Sequence, residues 1–395
     1  MMKVLSVNAG SSSLKFQMYE MPEEKVLISG VFERIGIENS FYTIKINGEK
    51  IKKEAELKDH NDAVNILIEE LIANKVIEQL DEIKAVGHRL VHGGDKYSES
   101  IIINEDVIKT VEELSSLAPL HNPANLMGVR AFMKSVPNAV QVACFDTAFH
   151  QTMEPVNYIY PVPYEWYEKY SVRKYGFHGM SHRYVSERCA EILNKKDAKI
   201  IVCHLGNGGS ISAVKNGKCV NTTMGLSPNA GIMMGSRSGD IDSSTILYIN
   251  KNTGMSLEEI DTYLNKKSGF LGISGISSDS RDIEDGIKEG NERCILAQQM
   301  YVKKIVNYIA QFYVELEGVD AICFTAGIGE NSPYTREKIL EGLKVLGIVI
   351  DTEANNVRGK ETLITKENSS IPCYIIPTDE EVMIARDSYT LIEKA

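Results

Sequence analysis

One pattern occurs twice along this chain, and it limits the architecture more than any other feature. Residues 3–20, KVLSVNAGSSSLKFQMYE, read as an apolar strand, a Gly/Ser turn and a returning strand that alternates Leu14, Phe16 and Met18, which is the mark of a β-hairpin. Residues 199–218, KIIVCHLGNGGSISAVKNGK, repeat that order. A second pair follows each hairpin: IKAVGHRLVHGG (83–94) and VDAICFTAGIGENS (319–332), both apolar strands running into a glycine-rich turn. Two echoes in the same order indicate a duplicated unit.

The intervening segments complete the outline. VLISGVFERI predicts a third strand, and FYTIKINGEKIKKEAEL predicts two more around an Asn47-Gly48 turn, so that four or five neighbouring strands form a mixed sheet. The spacing of Val64, Leu67, Ile68, Leu71 and Ile72 predicts a helix over 62–75. Further helices are expected over 107–117 and 126–136, with a strand at AVQVACFDT after them. In the second half, 154–175 is expected to be an irregular connection, 282–316 a long helical region, and EEVMIARDSYTLIEKA a closing helix. The fold class expected is α/β: two similar domains, each a mixed sheet flanked by helices, facing a nucleotide cleft.

A length of 395 residues suits two domains. The net charge of −11 gives no basic face for nucleic acid or an anionic membrane. The N-terminus enters a strand directly, without a leader pattern, so a cytoplasmic location is expected. Seven scattered cysteines, with no CxxC pair, read as reduced core residues rather than disulfides or zinc ligands.

The two hairpin turns let backbone N–H groups approach an anion closely, and Lys15 adds a cation after the first. GIGEN (327–331) follows a strand and precedes a helix expected near Pro333, so it offers donors at a helix N-terminus. Ser332 stands where a Rossmann fingerprint would need its last glycine, and no GxxxxGK[ST] occurs anywhere. Nucleotide chemistry must therefore use another phosphate frame. Four polar clusters, GHRLVHGG (87–94), FDTAFH (145–150), YGFHGMSH (175–182) and MGSRSGDID (234–242), place Arg, Asp or His at strand ends and in glycine-flanked loops, where sites are built. Taken singly, Asp146 could cap a helix and His88 could be a core imidazole. Transfer of a phosphoryl group to a carboxylate needs no base at the acceptor, but it needs charge neutralisation and alignment. The planar forks of Arg89 and Arg237 suit that task.

VNAGSSSLKF, GHRLVHGG, PLHNP, FDTAFH, YGFHG, HLGNGGS, MGSRSGDID, AGIGENS and PTDEE occur in an order that resembles the acetate kinase family and spans the chain. That family belongs to the superfamily of sugar kinases, actin and heat-shock chaperone ATPases. The resemblance implies two actin-like domains, 1–150 with 382–395 and 151–381, the second binding most of the nucleotide. It implies reversible transfer of the ATP γ-phosphoryl group to acetate, with Mg²⁺, or Mn²⁺ in its place, held by Asn8 and Glu380. Lys15, His204, Leu205, Gly206, Asn207, Gly208, Asp279, Ser280, Arg281, Gly327, Ile328, Gly329, Glu330 and Asn331, with Asn8, would contact the nucleotide. Arg89 would bind the acetate carboxylate, and Val91, Leu120, Phe177 and Pro228 its methyl group. Asp146 would organise the site, while His178 and Arg237 would stabilise the phosphoryl group in flight. A homodimer is implied too. The chain departs from the family pattern at Asn229-Ala230, where many relatives have Leu-Glu, and at Asp379, where Asn is usual. A propionate or butyrate kinase on the same frame and a non-enzymatic actin-like ATP-binding protein are the alternatives.

Overall fold

The computed structural model describes residues 1–119 and 121–394. They divide into two compact units, Met1–Gln151 with Asp379–Ala395, and Thr152–Thr378.

The first unit is built on a mixed sheet of eight strands: β1 (Met2–Ala9), β2 (Ser13–Met21), β3 (Lys25–Glu33), β4 (Phe41–Ile46), β5 (Glu49–Glu54), β6 (Ile83–Leu90), β7 (Ile101–Ile102) and β8 (Val140–Phe145), in the order β5-β4-β3-β2-β1-β6-β8-β7. β1 to β5 form an antiparallel meander, as their alternation predicts. β6 and β8 then join parallel to β1, extending the sheet beyond the expected four or five strands. Helix His60–Ala73, capped by the Asp59 side chain, buries Val64, Leu67 and Leu71 in one core with Leu5, Leu14 and Phe16. Helices Asn122–Ser135 and Glu380–Lys394 both pack on β1 and β6.

The second unit holds six strands: β9 (Lys199–Leu205), β10 (Gly209–Lys215), β11 (Lys218–Thr222), β12 (Ala321–Thr325), β13 (Thr362–Leu363) and β14 (Cys373–Ile375), in the order β11-β10-β9-β12-β14-β13. The run β11-β10-β9-β12-β14 has the same connectivity and sense as β3-β2-β1-β6-β8: two antiparallel pairings, then two parallel ones. The sequence echoes are thus a duplication of topology. Ile305, Ile309 and Phe312 of helix Glu292–Glu315 fill the core with Ile201, Cys203 and Phe324.

Several expected elements differ in detail. The helical region 282–316 is two helices, Ser280–Lys288 and Glu292–Glu315, broken at Gly290 (φ 79°), a backbone angle suited to glycine. The Asn291 side chain caps the second by accepting from the Arg293 and Cys294 amides. The connection 154–175 contains short helices at Pro155–Tyr158 and Tyr164–Tyr170. AGIGEN is not a turn: Ala326–Asn331 is helical directly after β12, and a further helix, Pro333–Gly342, begins two residues later with Ser332 as its cap. All seven cysteines are buried. Among the described residues, no helix is long and apolar enough to cross a membrane.

Candidate active site

In the first unit, the parallel strands β6 and β8 end beside one another, with Arg89 paired to Cys144 and Leu90 to Phe145 in register. Asp146 follows immediately, and its amide donates to the Leu90 carbonyl at 2.9 Å. Arg89 Nη2 donates to Asp146 Oδ2 at 2.8 Å, and its Nε lies 3.8 Å from Glu380 Oε2. That Nε is buried and makes no hydrogen bond among the described residues. Burial opposes the Arg89 charge, but Asp146 and then Glu380 outweigh it and hold the guanidinium above its ordinary range. Burial pushes Glu380 up to about 7; Asp146 and Glu381 add to this, while Arg89 and Lys15 oppose it.

Glycine places Glu380 there. A Cβ on Gly87 would sit 2.4 Å from both Ile384 Cγ2 and Ser388 Oγ, so β6 can receive the closing helix only where it has no side chain. Ser6 Oγ donates to the Glu381 carbonyl at 2.9 Å, and Lys15 pairs with the Glu381 carboxylate. Asn8 lies directly opposite Lys15 in the β1–β2 register. Asp379, the unusual carboxylate, accepts from the Val382 amide at 2.9 Å and from the Tyr19 hydroxyl at 3.3 Å, as a helix cap does. Val91 is buried, and its amide donates to Asn125 Oδ1 at 3.0 Å while Asn125 Nδ2 donates to the Ala9 carbonyl at 2.6 Å. Leu120 lies outside the described residues.

In the second unit, the β9–β10 turn Gly206–Gly208 closes on itself, Gly206 N donating to Gly208 O at 3.1 Å. A Cβ on Gly208 would come within 3.3 Å of Arg237 Nη1 and 3.6 Å of His178 Nε2, so this turn, the guanidinium and the imidazole meet at one place. Arg237 donates to the Pro228 carbonyl at 3.3 Å and approaches Met234 Sδ at 3.9 Å. It forms no ion pair among the described residues, and burial alone lowers its pKa. A half-buried cation without a counter-ion is poised for an anion. His178 occupies the left-handed region (φ 59°) at the cap of helix Gly179–Ile192, and its ring stacks on His204 with centroids 4.1 Å apart. Phe177, beside it, is buried. In the Asn229-Ala230 departure, Asn229 Oδ1 is buried with no hydrogen bond among the described residues, and its amide donates to Ser227 Oγ at 3.3 Å.

The other expected nucleotide segments are also in this unit. Asp279 caps helix Ser280–Lys288, accepting from the Arg281 amide at 2.9 Å, and pairs with the exposed Arg281 guanidinium. Gly206 approaches the β12 end: a Cβ there would lie 3.6 Å from Ala326 Cβ and 4.0 Å from Gly327 N. Glu330 turns its carboxylate back onto the Ala326 amide at 2.7 Å and accepts from the Thr378 amide at 3.2 Å, so it organises its own segment.

The expectations omitted Asn125, Ser181, His182, Ser210 and Ser212, which support these groups. Signals for them existed in the i, i+4 pair His178/His182 and the alternating serines of GGSIS.

A family model described as the acetokinase family matches residues 3–386. The chain is 53% identical over 393 residues to acetate kinase 2 of Listeria monocytogenes serotype 4b (strain F2365), covering 99% of each. The crystal structure of Porphyromonas gingivalis acetate kinase superposes with a TM-score of 0.95 at 47% identity, over 99% of this chain and 100% of that one. A propionate kinase from Francisella tularensis subsp. tularensis gives 0.93 at 41%, over 98% and 99%. With the match spanning nearly the whole length, the chain belongs to the acetokinase family.

Proposed function

We propose that this protein catalyses reversible, direct in-line transfer of the ATP γ-phosphoryl group to acetate, giving acetyl phosphate and ADP. It is a phosphotransferase with a carboxylate acceptor, like the acetate kinases it resembles. The observation that carries the reading is Arg237: a half-buried guanidinium with no carboxylate beside it among the described residues, set at the glycine turn with His178. In this reading Arg237 and His178 donate to the equatorial oxygens of the transferring group, where each such donor is worth roughly 3 kcal/mol in the transition state. Arg89 binds the acetate carboxylate through donors that Asp146 leaves open, and Val91, Leu120, Phe177 and Pro228 serve the methyl group. The His204–Gly208, Asp279–Arg281 and Gly327–Asn331 segments, with Asn8 and Lys15, serve the nucleotide.

Mg²⁺, with Mn²⁺ as a substitute, is proposed at Asn8 and Glu380. Burial, with Asp146 and Glu381 adding to it, pushes the Glu380 carboxyl up to about 7, and a cation beside it relieves that cost. No group of three or more His, Cys, Asp and Glu side chains that could hold a metal occurs among the described residues. That suits an ion held by one or two protein oxygens together with phosphates and water. When bound, such an ion neutralises charge on the phosphates. A homodimer is proposed from the exposed apolar side chains Ile241, Leu247, Tyr248, Leu257 and Tyr263, which fall close together in sequence, and a cytoplasmic location from seven buried cysteines scattered without a CxxC pair.

The test is acyl phosphate trapping with hydroxylamine, using MgATP with acetate, propionate, butyrate or glycerol. Acetate should give the highest kcat/KM, with propionate slower, because one methylene in an apolar pocket is worth only ~1–3 kcal/mol. A preference for propionate would make the chain a propionate kinase. ADP formation that ignores acetate would overturn the reading.

A further inference from the structure

Three buried side chains, Ser210, His182 and Ser212, stand in line behind His178. Ser210 and Ser212 are two apart on β10 and so share one face of it. His178 and His182 are four apart at the start of helix Gly179–Ile192. The two pairs interleave: Ser212 Oγ meets His182 Nδ1 at 2.7 Å, His182 Nε2 meets Ser210 Oγ at 2.7 Å, and Ser210 Oγ meets His178 Nδ1 at 2.9 Å. Ser210, Ser212 and His182 have no exposed surface.

Proton counting gives this line a direction. Ser212 Oγ makes its one hydrogen bond among the described residues with His182 Nδ1. If that nitrogen carried the proton, the Ser212 hydroxyl hydrogen would be left in the core without an acceptor, at a cost of about 1–3 kcal/mol. Ser212 therefore donates, and His182 carries its proton on Nε2 and donates to Ser210. With its acceptor side engaged, Ser210 donates to His178 Nδ1. A neutral His178 must then hold its own proton on Nε2, the nitrogen that lies closest to the Gly208 turn. A second proton on Nδ1 would reverse the whole order and orphan the Ser212 hydroxyl, so the ring is held neutral. The neighbouring imidazole follows the same rule: buried Ser181 makes its one side-chain hydrogen bond among the described residues with His204 Nδ1, at 2.7 Å.

We propose that Ser212, His182 and Ser210 form a one-way hydrogen-bond relay that fixes His178 as the Nε2–H tautomer and aims that N–H at the phosphate turn. The three are positioning residues, and their effect on catalysis rests on the reading above in which His178 faces the transferring phosphoryl group. The relay supplies a neutral donor there.

The test is nitrogen-15 NMR of histidine-labelled full-length protein, with the His178 signals assigned by His178→Gln, alongside steady-state kinetics. Wild type should show Nδ1 unprotonated and Nε2 protonated. Ser210→Ala should give a mixture of tautomers and a several-fold to roughly tenfold fall in kcat with little change in either KM, and Ser210→Thr, which keeps a hydroxyl, should restore both. Ser212→Ala should show the same loss in weaker form. A protonated Nδ1 in wild type, or a wild-type tautomer in Ser210→Ala, overturns the relay. A normal single-turnover rate in His178→Ala would instead remove His178 from the phosphoryl group, and the tautomer assignment would still be judged by the spectra.

Discussion

Arg89 commits one arm of its guanidinium to Asp146, Nη2 to Oδ2 at 2.8 Å, and leaves a buried Nε without a hydrogen bond among the described residues. The pair explains why an arginine tolerates this burial while keeping donors for a substrate carboxylate. Arg89→Ala should raise the acetate KM by roughly 10- to 100-fold, the loss of charge-assisted hydrogen bonds, and leave the ATP KM nearly unchanged. Steady-state kinetics with both substrates varied would show it, and an unchanged acetate KM would remove Arg89 from the acetate site.

Gly87→Ala should loosen the closing helix, because the new methyl would lie 2.4 Å from Ile384 and Ser388. Overpacking of this kind costs about 1–3 kcal/mol, and here it also shifts the first turn that carries Glu380. Urea unfolding should show the loss at neutral pH. Stability equal to wild type would mean that β6 and the helix do not need this close approach.

Acid should weaken the fold through His88. Burial lowers its pKa to about 4, with Gln141 partly opposing through a 2.8 Å hydrogen bond. Below its ordinary pKa near 6.5 the unfolded chain binds a proton that the folded chain refuses, so the contribution is full above that value and is lost as pH falls toward 4. Between pH 7.5 and 5 this amounts to about 2 kcal/mol. His92, also lowered to about 4 by burial, acts in the same sense. His88→Gln should show a shallower decline over that interval in urea titrations; an equal decline would mean His88 is protonated when folded.

What the sequence displayed was mostly local. Alternation at Leu14, Phe16 and Met18 and small residues in the turns announced both hairpins, and strand ends announced Arg89 and Asp146. The partnership of Ser210 and Ser212 with His178 and His182 spans 28 to 32 positions, a separation that no pattern reveals before the strand and helix are laid together. AGIGEN misled because its glycines read as a turn by propensity. In the fold, the Glu330 carboxylate holds the Ala326 amide and so organises the first turn of a helix. Asp379 was legible as an anomaly but not as a cap, since its partners Val382 and Tyr19 belong to two different elements.

Single-turnover transfer from MgATP to acetate decides whether Arg237 stabilises the phosphoryl group in flight. Donors set for the planar transition-state geometry act chiefly there, so Arg237→Ala should slow the chemical step by a factor on the order of 10²–10³ with smaller changes in either KM. Arg237→Lys should recover little, because a point charge does not reproduce the planar fork. A thermal melt of the same protein separates this from misfolding: Arg237→Ala should melt near-normally with a slow chemical step. A normal chemical step in Arg237→Ala would contradict it.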